Sequence, residues 1–158
     1  MIAASHIVAG AVTGVLCKRA RVAVPAAFAG HFLLDQIPHS CFNMLPEAVQ
    51  NGPLVVVGMV AGYAVILWAM VLAWRLPTRW TAMAAAIAAF LPDPLSYLHP
   101  VNQWFALLPG SSIVPWVHGT FHCDVTGTHV AFGFITQIIV VSAGLYILAC
   151  NKQELQVK

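Results

Sequence analysis

The chain has 158 residues, of which 60% are hydrophobic and 8% are charged, and its mean hydropathy is +0.83. Soluble domains carry about 25% charged residues, so this composition excludes an ordinary soluble domain and predicts an integral membrane protein. A net charge of +2 and the lack of a basic run with interleaved aromatic residues exclude nucleic acid as a partner. The length suits a single membrane-embedded helical domain that covers residues 1–158.

Apolar stretches along the chain predict an all-α integral membrane bundle of about five helices. They cover residues 2–17, 22–38, 54–74, 80–92 and 129–149. The first is short for a full span, which needs about 20 residues, whereas the third is the clearest span. A polar and aromatic stretch at 93–128 contains prolines that argue against one continuous helix. We therefore expect this stretch to form loops and short helices on the outer face.

Basic residues and histidines fall into separate parts of this topology. The lysines and arginines follow the first, third and fifth helices, at Lys18, Arg19, Arg21, Arg75, Arg79, Lys152 and Lys158. With five crossings, alternation brings these groups to one side, which the positive-inside rule identifies as the cytoplasm. All 7 histidines then fall towards the opposite side. The sequence thus predicts an outer N-terminus, a cytoplasmic C-terminus and a ligand-rich pocket on the non-cytoplasmic face.

One apolar segment places His31, Asp35 and His39 close together in the sequence. On a helix His31 and Asp35 project from one face, and His39 follows just past Pro38, where a helix continues or ends. Imidazole and carboxylate at this spacing suit a divalent metal, zinc first and manganese as the alternative. The structural alternative is a helix end near the membrane surface, with its polar groups satisfied by water or by one another.

Other stretches carry the same residue types. Asp93 is expected at the outer end of the fourth helix, as a ligand or, alternatively, as a helix cap. His118 and His122 have the spacing of two ligands on one helical face, and Asp124 could ligate or orient an imidazole. An unpaired histidine inside the first helix would be costly, so we expect His6 to meet the other ligands.

The candidate metal ligands are His6, His31, Asp35, His39, Asp93, His118 and His122. This set exceeds the four ligands of one tetrahedral zinc. Either two metals share bridging carboxylates, or some of these residues act as acid, base or phosphate contacts. The predicted catalytic residues are Asp35, Asp93 and His122.

Two of the histidines and all four cysteines lie outside this set. His99 is expected to be a surface loop residue, and His129 is expected to cap the last span. Cys41 and Cys123 each neighbour a ligand candidate, and on an oxidising face they could form a disulfide. A free thiol or a soft metal ligand is the alternative.

Three ordered motifs carry a resemblance to a known family. They are Ser5-His6-Ile7-Val8-Ala9-Gly10, Gly30-His31-Phe32-Leu33-Leu34-Asp35-Gln36-Ile37-Pro38-His39 and Phe90-Leu91-Pro92-Asp93. The set resembles membrane-bound metal-dependent hydrolases, a family that includes LexA-binding inner-membrane hydrolases. Its second motif also resembles the zinc-dependent phospholipase C and nuclease superfamily, all-helical enzymes in which a trinuclear zinc site cleaves phosphate esters. The resemblance implies ligand roles for His6, His31, Asp35, His39 and Asp93.

These observations predict a metal-dependent hydrolase of the inner or plasma membrane. It would act on a phosphate ester, with a membrane lipid head group as the candidate substrate, at the non-cytoplasmic face. The alternative is a non-catalytic accessory subunit of a larger membrane complex that uses its metal for structure. A haem protein would place paired histidines without nearby carboxylates, so the aspartates disfavour it. A transporter is a weaker option, because no ligand-type residue lies deep in the third or fifth helix.

Overall fold

A computed structural model describes residues 3–40, 45, 52–124 and 129–153. Its helices are α1 (Ala3–Cys17), α2 (Ala20–Asp35), α3 (Pro53–Trp74), α4 (Arg79–Phe90), α5 (Pro92–Tyr97), α6 (Val101–Phe105), α7 (Ile113–Phe121) and α8 (Val130–Gln153). Within the described ranges the chain forms no β-strand, only an isolated bridge between His39 and Asp124. The all-α prediction is confirmed for this part of the chain.

Three short helices, α5, α6 and α7, lie in the segment for which the sequence predicts loops and short helices. The prediction of about five helices therefore falls short of the described structure, which adds α5, α6 and α7 to the five expected ones. The reason is that proline is well tolerated in the first turn of a helix. Pro92 begins α5 directly after α4 ends at Phe90. Asp93 consequently lies in the first turn of α5, three residues past the end of α4, which is next to the helix end where the sequence predicts it.

The helices α3 and α8 are long and apolar enough to cross a membrane, over Pro53–Trp74 and Val130–Asn151. On α3 many large apolar side chains face outward, with Val60 62% and Leu67 68% exposed. A surface of this kind suits lipid better than water. The remaining predicted crossings, α1, α2 and α4, have 15, 16 and 12 residues and fall short of the roughly 20 that a full span needs.

Helix α1 packs against α2, α3, α4 and α8 and so occupies the middle of the bundle. Its closest neighbour is the alanine-rich helix α4, and the approach requires glycine. A Cβ atom on Gly10 would lie 2.6 Å from the Ala85 carbonyl oxygen, and one on Gly14 would lie 2.6 Å from the Thr81 carbonyl oxygen. Small residues thus let the two backbones meet, as is common between membrane helices.

The two ends of the bundle carry different residues. The α1–α2 and α3–α4 turns lie at one end, because Gly14 packs against Ala82. These turns contain Lys18, Arg19 and Arg75, and the first turns of α2 and α4 that follow them contain Arg21 and Arg79. At the other end the first turns of α8 meet the chain that follows α2, where the Thr136 hydroxyl donates a hydrogen bond to the Pro38 carbonyl. We call this the histidine end.

A candidate metal centre at the histidine end

All seven predicted metal ligands converge at the histidine end. They come from α1, from α2 and the residues after it, and from α5 and α7; they are His6, His31, Asp35, His39, Asp93, His118 and His122. Five of the side chains are fully buried, whereas those of Asp93 and His122 are 22% and 15% exposed. The cluster divides into two groups of converging atoms that share Asp35.

The first donor set consists of His6, His31, Asp35 and Asp93, whose ligand atoms lie within 4.8 Å of one another, together with the adjacent His118. The Asp35 carboxylate lies at its centre, with Oδ2 2.9 Å from His118 Nε2 and 3.1 Å from His31 Nε2. Its Oδ1 lies 3.2 Å from His6 Nε2. Asp93 Oδ1 completes the group at 3.3 Å from His118 Nε2 and 3.7 Å from His31 Nε2.

Five of the spacings within this set are close to the edges of a coordination tetrahedron. Ligand atoms about 2.0–2.1 Å from a zinc ion lie about 3.3–3.4 Å from one another. The two ring nitrogens, His31 Nε2 and His118 Nε2, are 3.2 Å apart. Their contacts with the carboxylates of Asp35 and Asp93 range from 2.9 to 3.7 Å. These distances are compatible with a metal ion held among the four side chains.

The hydrogen bond of His31 Nδ1 directs the lone pair of His31 Nε2 towards the space between the donor atoms. A carbonyl oxygen can only accept, so the 2.8 Å contact with the Ala89 carbonyl places a proton on His31 Nδ1. In the neutral ring His31 Nε2 is then an acceptor, and it faces the acceptor oxygens of Asp35 and Asp93. Facing acceptors in a buried site repel unless a proton or a cation lies between them. The Ala89 contact is also the kind of partner that orients a metal-binding histidine.

His6 and His118 contribute buried nitrogens that the protein leaves without hydrogen bonds. Among the described residues, neither nitrogen of His6 has a hydrogen-bond partner, and neither does His118 Nδ1. The 3.2 Å approach of His6 Nε2 to Asp35 is within ion-pair distance but lacks hydrogen-bond geometry. Buried polar atoms are normally satisfied, so His6 Nε2 is available to a ligand that the protein itself does not supply.

The second donor set consists of Asp35, His39 and His122. The two Nε2 atoms are 3.4 Å apart, and His39 Nε2 lies 4.0 Å from Asp35 Oδ1. Asp124 approaches both rings, with Oδ1 3.0 Å from His122 Nδ1 and 3.4 Å from His39 Nε2. Its first contact orients the imidazole of His122 from behind, one of the two roles that the sequence allowed for Asp124.

His39 also presents a lone pair to its set. Its Nδ1 donates to the Ile37 carbonyl at 2.8 Å, which leaves Nε2 as the acceptor that faces the other donors. Burial lowers the pKa of the His39 imidazole below its ordinary value. The neutral ring is the form that binds a metal, so both the hydrogen bond and the burial favour a ligand role.

The backbone around His39 is held from two sides. On one side its amide donates to the Cys123 carbonyl at 3.2 Å, within the isolated bridge to Asp124. On the other side α8 approaches so closely that a Cβ atom on Gly133 would lie 2.7 Å from the His39 carbonyl carbon. Gln137 Nε2 donates to the Ser40 carbonyl at 2.7 Å from the same helix. The position of His39 thus depends on α8, which supplies no ligand itself.

Some predicted features lie outside the cluster or outside the described residues. His99 and His129 are exposed, at positions that suit surface roles. Cys123 is an exposed free thiol, whereas Cys41 lies outside the described residues. The disulfide between Cys41 and Cys123 therefore stays a prediction.

Sequence reasoning missed Gly133, Thr136 and Gln137 as supports of the second donor set. A signal was present, because Thr136 and Gln137 are polar residues in an otherwise apolar span. Polar groups in such spans usually have a specific partner.

Comparisons with known proteins add no evidence about the site. No protein-family model matches the chain, and no curated protein or solved structure matches it significantly. The described geometry supports the coarser conclusion that a buried cluster of histidines and aspartates could hold a metal ion.

Proposed function

We propose that the chain is a membrane-embedded hydrolase that uses two divalent metals, zinc in first place, to cleave a phosphate ester of a membrane lipid. The observation that carries this proposal is the pair of donor sets that share Asp35, each with a histidine whose Nε2 lone pair faces the other donors of its set. Paired metals bridged by a carboxylate are common in enzymes that cleave phosphate esters. The nitrogen and carboxylate donors suit zinc, with manganese as the alternative.

The two donor sets differ in a way that supports catalysis at the second. Catalytic zinc sites keep three protein ligands and an open position, whereas structural sites are closed by four. The second set offers Asp35, His39 and His122, and it borders solvent, with Asp124 39% exposed. The first set offers more donors and is almost fully buried. We therefore assign a supporting metal to the first set and the reacting water and phosphoryl group to the second.

The predicted catalytic residues then take distinct roles. Asp35, which is fully buried and shared by the sets, would help to hold both metals. His122 would hold the reacting metal through Nε2. Asp93, which is 22% exposed, can exchange protons with water during turnover. Asp124 holds the ring of His122 in place through its Nδ1. The metals would supply Lewis acidity at the phosphoryl oxygens and acidify a water molecule.

The same proposal includes the orientation of the chain. At the end away from the cluster, the described turns and the helix starts that follow them carry Lys18, Arg19 and Arg21 as one group and Arg75 and Arg79 as the other. The positive-inside rule makes that end cytoplasmic. The N-terminus and the histidine end would then lie on the outer side of the inner or plasma membrane. A reporter fused after Lys158 should be active only if it is a cytoplasmic type, and activity of a periplasmic type would overturn this orientation.

A non-catalytic subunit with a structural metal is the second candidate. The observation that favours it is the first donor set, whose many donors and deep burial are typical of a closed site. The two candidates differ in the expected state of the second set. A structural subunit needs no open position and no hydrolysis, and it would act within a larger membrane complex.

Metal content and hydrolysis together test the proposal. We expect about two zinc or manganese equivalents per chain in detergent-purified protein, and release of phosphate or head group from lipid phosphate esters. Asp35→Asn should lose both metals and reduce hydrolysis by ~100-fold or more, because both sets use this carboxylate. His99→Ala, at an exposed histidine, is the matched control and should keep both.

Three outcomes would contradict the proposal. Wild-type protein without bound metal would exclude both metal roles. Two metals without hydrolysis of any phosphate ester would favour the structural subunit. Equal metal loss in Asp35→Asn and His99→Ala would show that the metal binds outside the cluster.

A further inference from the structure

The segment that carries α5, α6 and α7, residues 92–121, exposes many large apolar side chains. The most exposed of them are Tyr97, Trp104, Leu107, Leu108, Ile113 and Trp116. From residue 94 to residue 121 the sequence contains no aspartate, glutamate, lysine or arginine. An exposed apolar surface that lacks charge marks a contact with another protein or with a membrane.

Helix α7 has two faces of different character. Trp116 is 69% exposed, and Ile113, one turn before it, is exposed on the same face. His118 follows Trp116 by two residues and therefore projects about 200° away from it around the helix. The side chain of His118 is fully buried, with Nε2 2.9 Å from Asp35 Oδ2. The helix thus supplies a donor to the metal-binding cluster on one face and turns an apolar face away from it.

Helix α6 has no buried face within the protein. None of its residues is buried, and its main neighbour is the short helix α5. Trp104 on α6 and Leu107 just after it are 73% and 76% exposed. Removal of such large apolar side chains from water is favourable, so they call for an apolar environment that the chain itself does not supply.

Contacts at the end of α7 give the depth of the segment relative to a candidate span. Asp124, three residues after α7, forms the isolated bridge with His39. Gly133, in the first turn of α8, lies against the backbone of His39. The end of α7 is therefore level with the start of the candidate span Val130–Asn151. Because the ends of a span lie where hydrocarbon meets the lipid head groups, the segment lies at that boundary.

This depth favours lipid over another protein as the partner of the segment. Tryptophan and tyrosine are concentrated at the boundary between membrane and water. The exposed apolar surfaces of α3 and α8 reach the same level, at Leu54 and Phe132, so the segment continues a surface that suits lipid. The stretches between the short helices are irregular, and irregular backbone is tolerated among head groups but not in lipid-facing hydrocarbon. Protein interfaces are enriched in arginine, which the segment lacks.

We infer that the α5–α7 segment binds the bilayer surface at the histidine end, with Trp104 and Trp116 among the lipids at the head-group boundary. A zwitterionic bilayer suffices as the partner, because the segment has no basic residue to attract anionic lipid. The inference goes beyond the proposed function, since it requires that α3 and α8 cross a membrane and does not require hydrolysis. Because α7 carries His118 on its buried face, the donor sets would lie at the depth of the lipid head groups.

The test measures which tryptophan rings contact lipid in the full-length protein. All 5 tryptophans are replaced by fluorotryptophan during synthesis, and the protein is placed in phosphatidylcholine nanodiscs. Fluorine NMR signals, assigned by replacing one tryptophan at a time with phenylalanine, are recorded with a phosphatidylcholine that carries a nitroxide below its head group and, separately, with a soluble gadolinium chelate. Trp68, 57% exposed within the candidate span on α3, is the internal control for lipid contact. We expect the lipid nitroxide to broaden the signals of Trp104 and Trp116 about three-fold more than the gadolinium chelate does.

A pair of charged variants tests the contact from the side of the protein. Leu107→Asp introduces a carboxylate at the most exposed large apolar side chain of the segment, so α6 should move away from the lipid. The broadening of Trp104 by the lipid nitroxide should then fall about two-fold, because a charge is costly at this boundary. Gln103→Asp adds the same charge at an exposed position of α6 that is already polar, so the broadening should stay as in wild type. An unchanged Trp68 signal shows that both variants remain in the bilayer.

Each other outcome overturns the inference. Broadening of Trp104 and Trp116 by the gadolinium chelate alone would place the segment in water, and protection from both agents would assign its apolar face to another protein chain. Gadolinium broadening of Trp68 as well would refute the membrane crossing on which the inference rests. Equal effects of Leu107→Asp and Gln103→Asp would exclude a contact between Leu107 and lipid. Because no measurement involves turnover, lipid contact in a protein without hydrolytic activity would retain this inference and refute only the proposed function.

Discussion

A substitution at Gly133 should separate the two donor sets. Gly133 lies in the first turn of α8, and a Cβ atom there would lie 2.7 Å from the His39 carbonyl carbon and 2.7 Å from the Ser40 nitrogen. Ordinary contacts begin at 3.4 Å, so in Gly133→Ala the backbone of His39 must move by 3.4 − 2.7 = 0.7 Å relative to α8. Ligand distances in metal sites tolerate about 0.2 Å. The second set should therefore lose its metal.

The first donor set should keep its metal in the same variant, because its ligands come from α1, α2, α5 and α7 and not from the segment that Gly133 contacts. Metal analysis of purified protein should fall from about two equivalents to about one. Overpacking of this kind costs about 1–3 kcal/mol, so the melting temperature should also fall. Gly62→Ala is the control, since its Cβ atom meets nothing within 4 Å. Full metal content in Gly133→Ala, or loss of both metals from folded protein, would refute this reasoning.

Two further predictions concern other contacts. Gln137→Leu removes the 2.7 Å hydrogen bond to the Ser40 carbonyl, so affinity for the second metal should fall by about 10–100-fold in a competitive chelator titration. An unchanged affinity would show that the close approach at Gly133 suffices. Gly10→Val should lower the melting temperature in detergent, because its Cβ atom would lie 2.6 Å from both the Ala85 oxygen and the Ala89 Cβ atom. Gly62→Val should melt as wild type does, and equal melting of the two variants would contradict the packing argument.

Most of the helix positions could be predicted from the sequence, because long apolar runs between basic turns have few alternatives. Helices α3 and α8 begin and end within a few residues of the predicted ranges. The short helices around Pro92 and Pro100 could not be placed, since proline marks either an end or a beginning. The same ambiguity explains why Asp93 begins α5 and does not end α4.

The residues that form the candidate site could be predicted from the sequence, whereas their division into two donor sets could not. Ionisable residues are scarce in so apolar a chain, which made Asp35 and the histidines conspicuous. The spacing of His118 and His122 suggested two ligands of one metal, yet the structure places His118 beside Asp93 and His122 beside His39. The rings of the two histidines stay in contact, with centroids 5.2 Å apart, but α7 ends between them at Phe121, and a helix end is hard to locate from sequence.

Orientation of the imidazoles was beyond prediction for a different reason. The acceptors for His31 and His39 are the backbone carbonyls of Ala89 and Ile37. Every residue has a backbone carbonyl, so the residue type does not indicate which carbonyl accepts a hydrogen bond from a histidine. The support from Gly133 depends on the packing of α8 against a segment about 95 residues earlier, a contact that local patterns do not encode.

The distribution of ligands along the chain has a consequence for biogenesis. His6 is in α1, whereas His118 and His122 are at the end of α7. The full set of donors therefore exists only after α7 has returned to the histidine end, so a metal bound there would be acquired only after more than 100 residues that follow α1 have been synthesised. Under metal starvation we expect nascent chains to insert normally and to pack α1 against α4. The segment that carries α5, α6 and α7 would stay unsecured, and surveillance proteases would be expected to cleave there first.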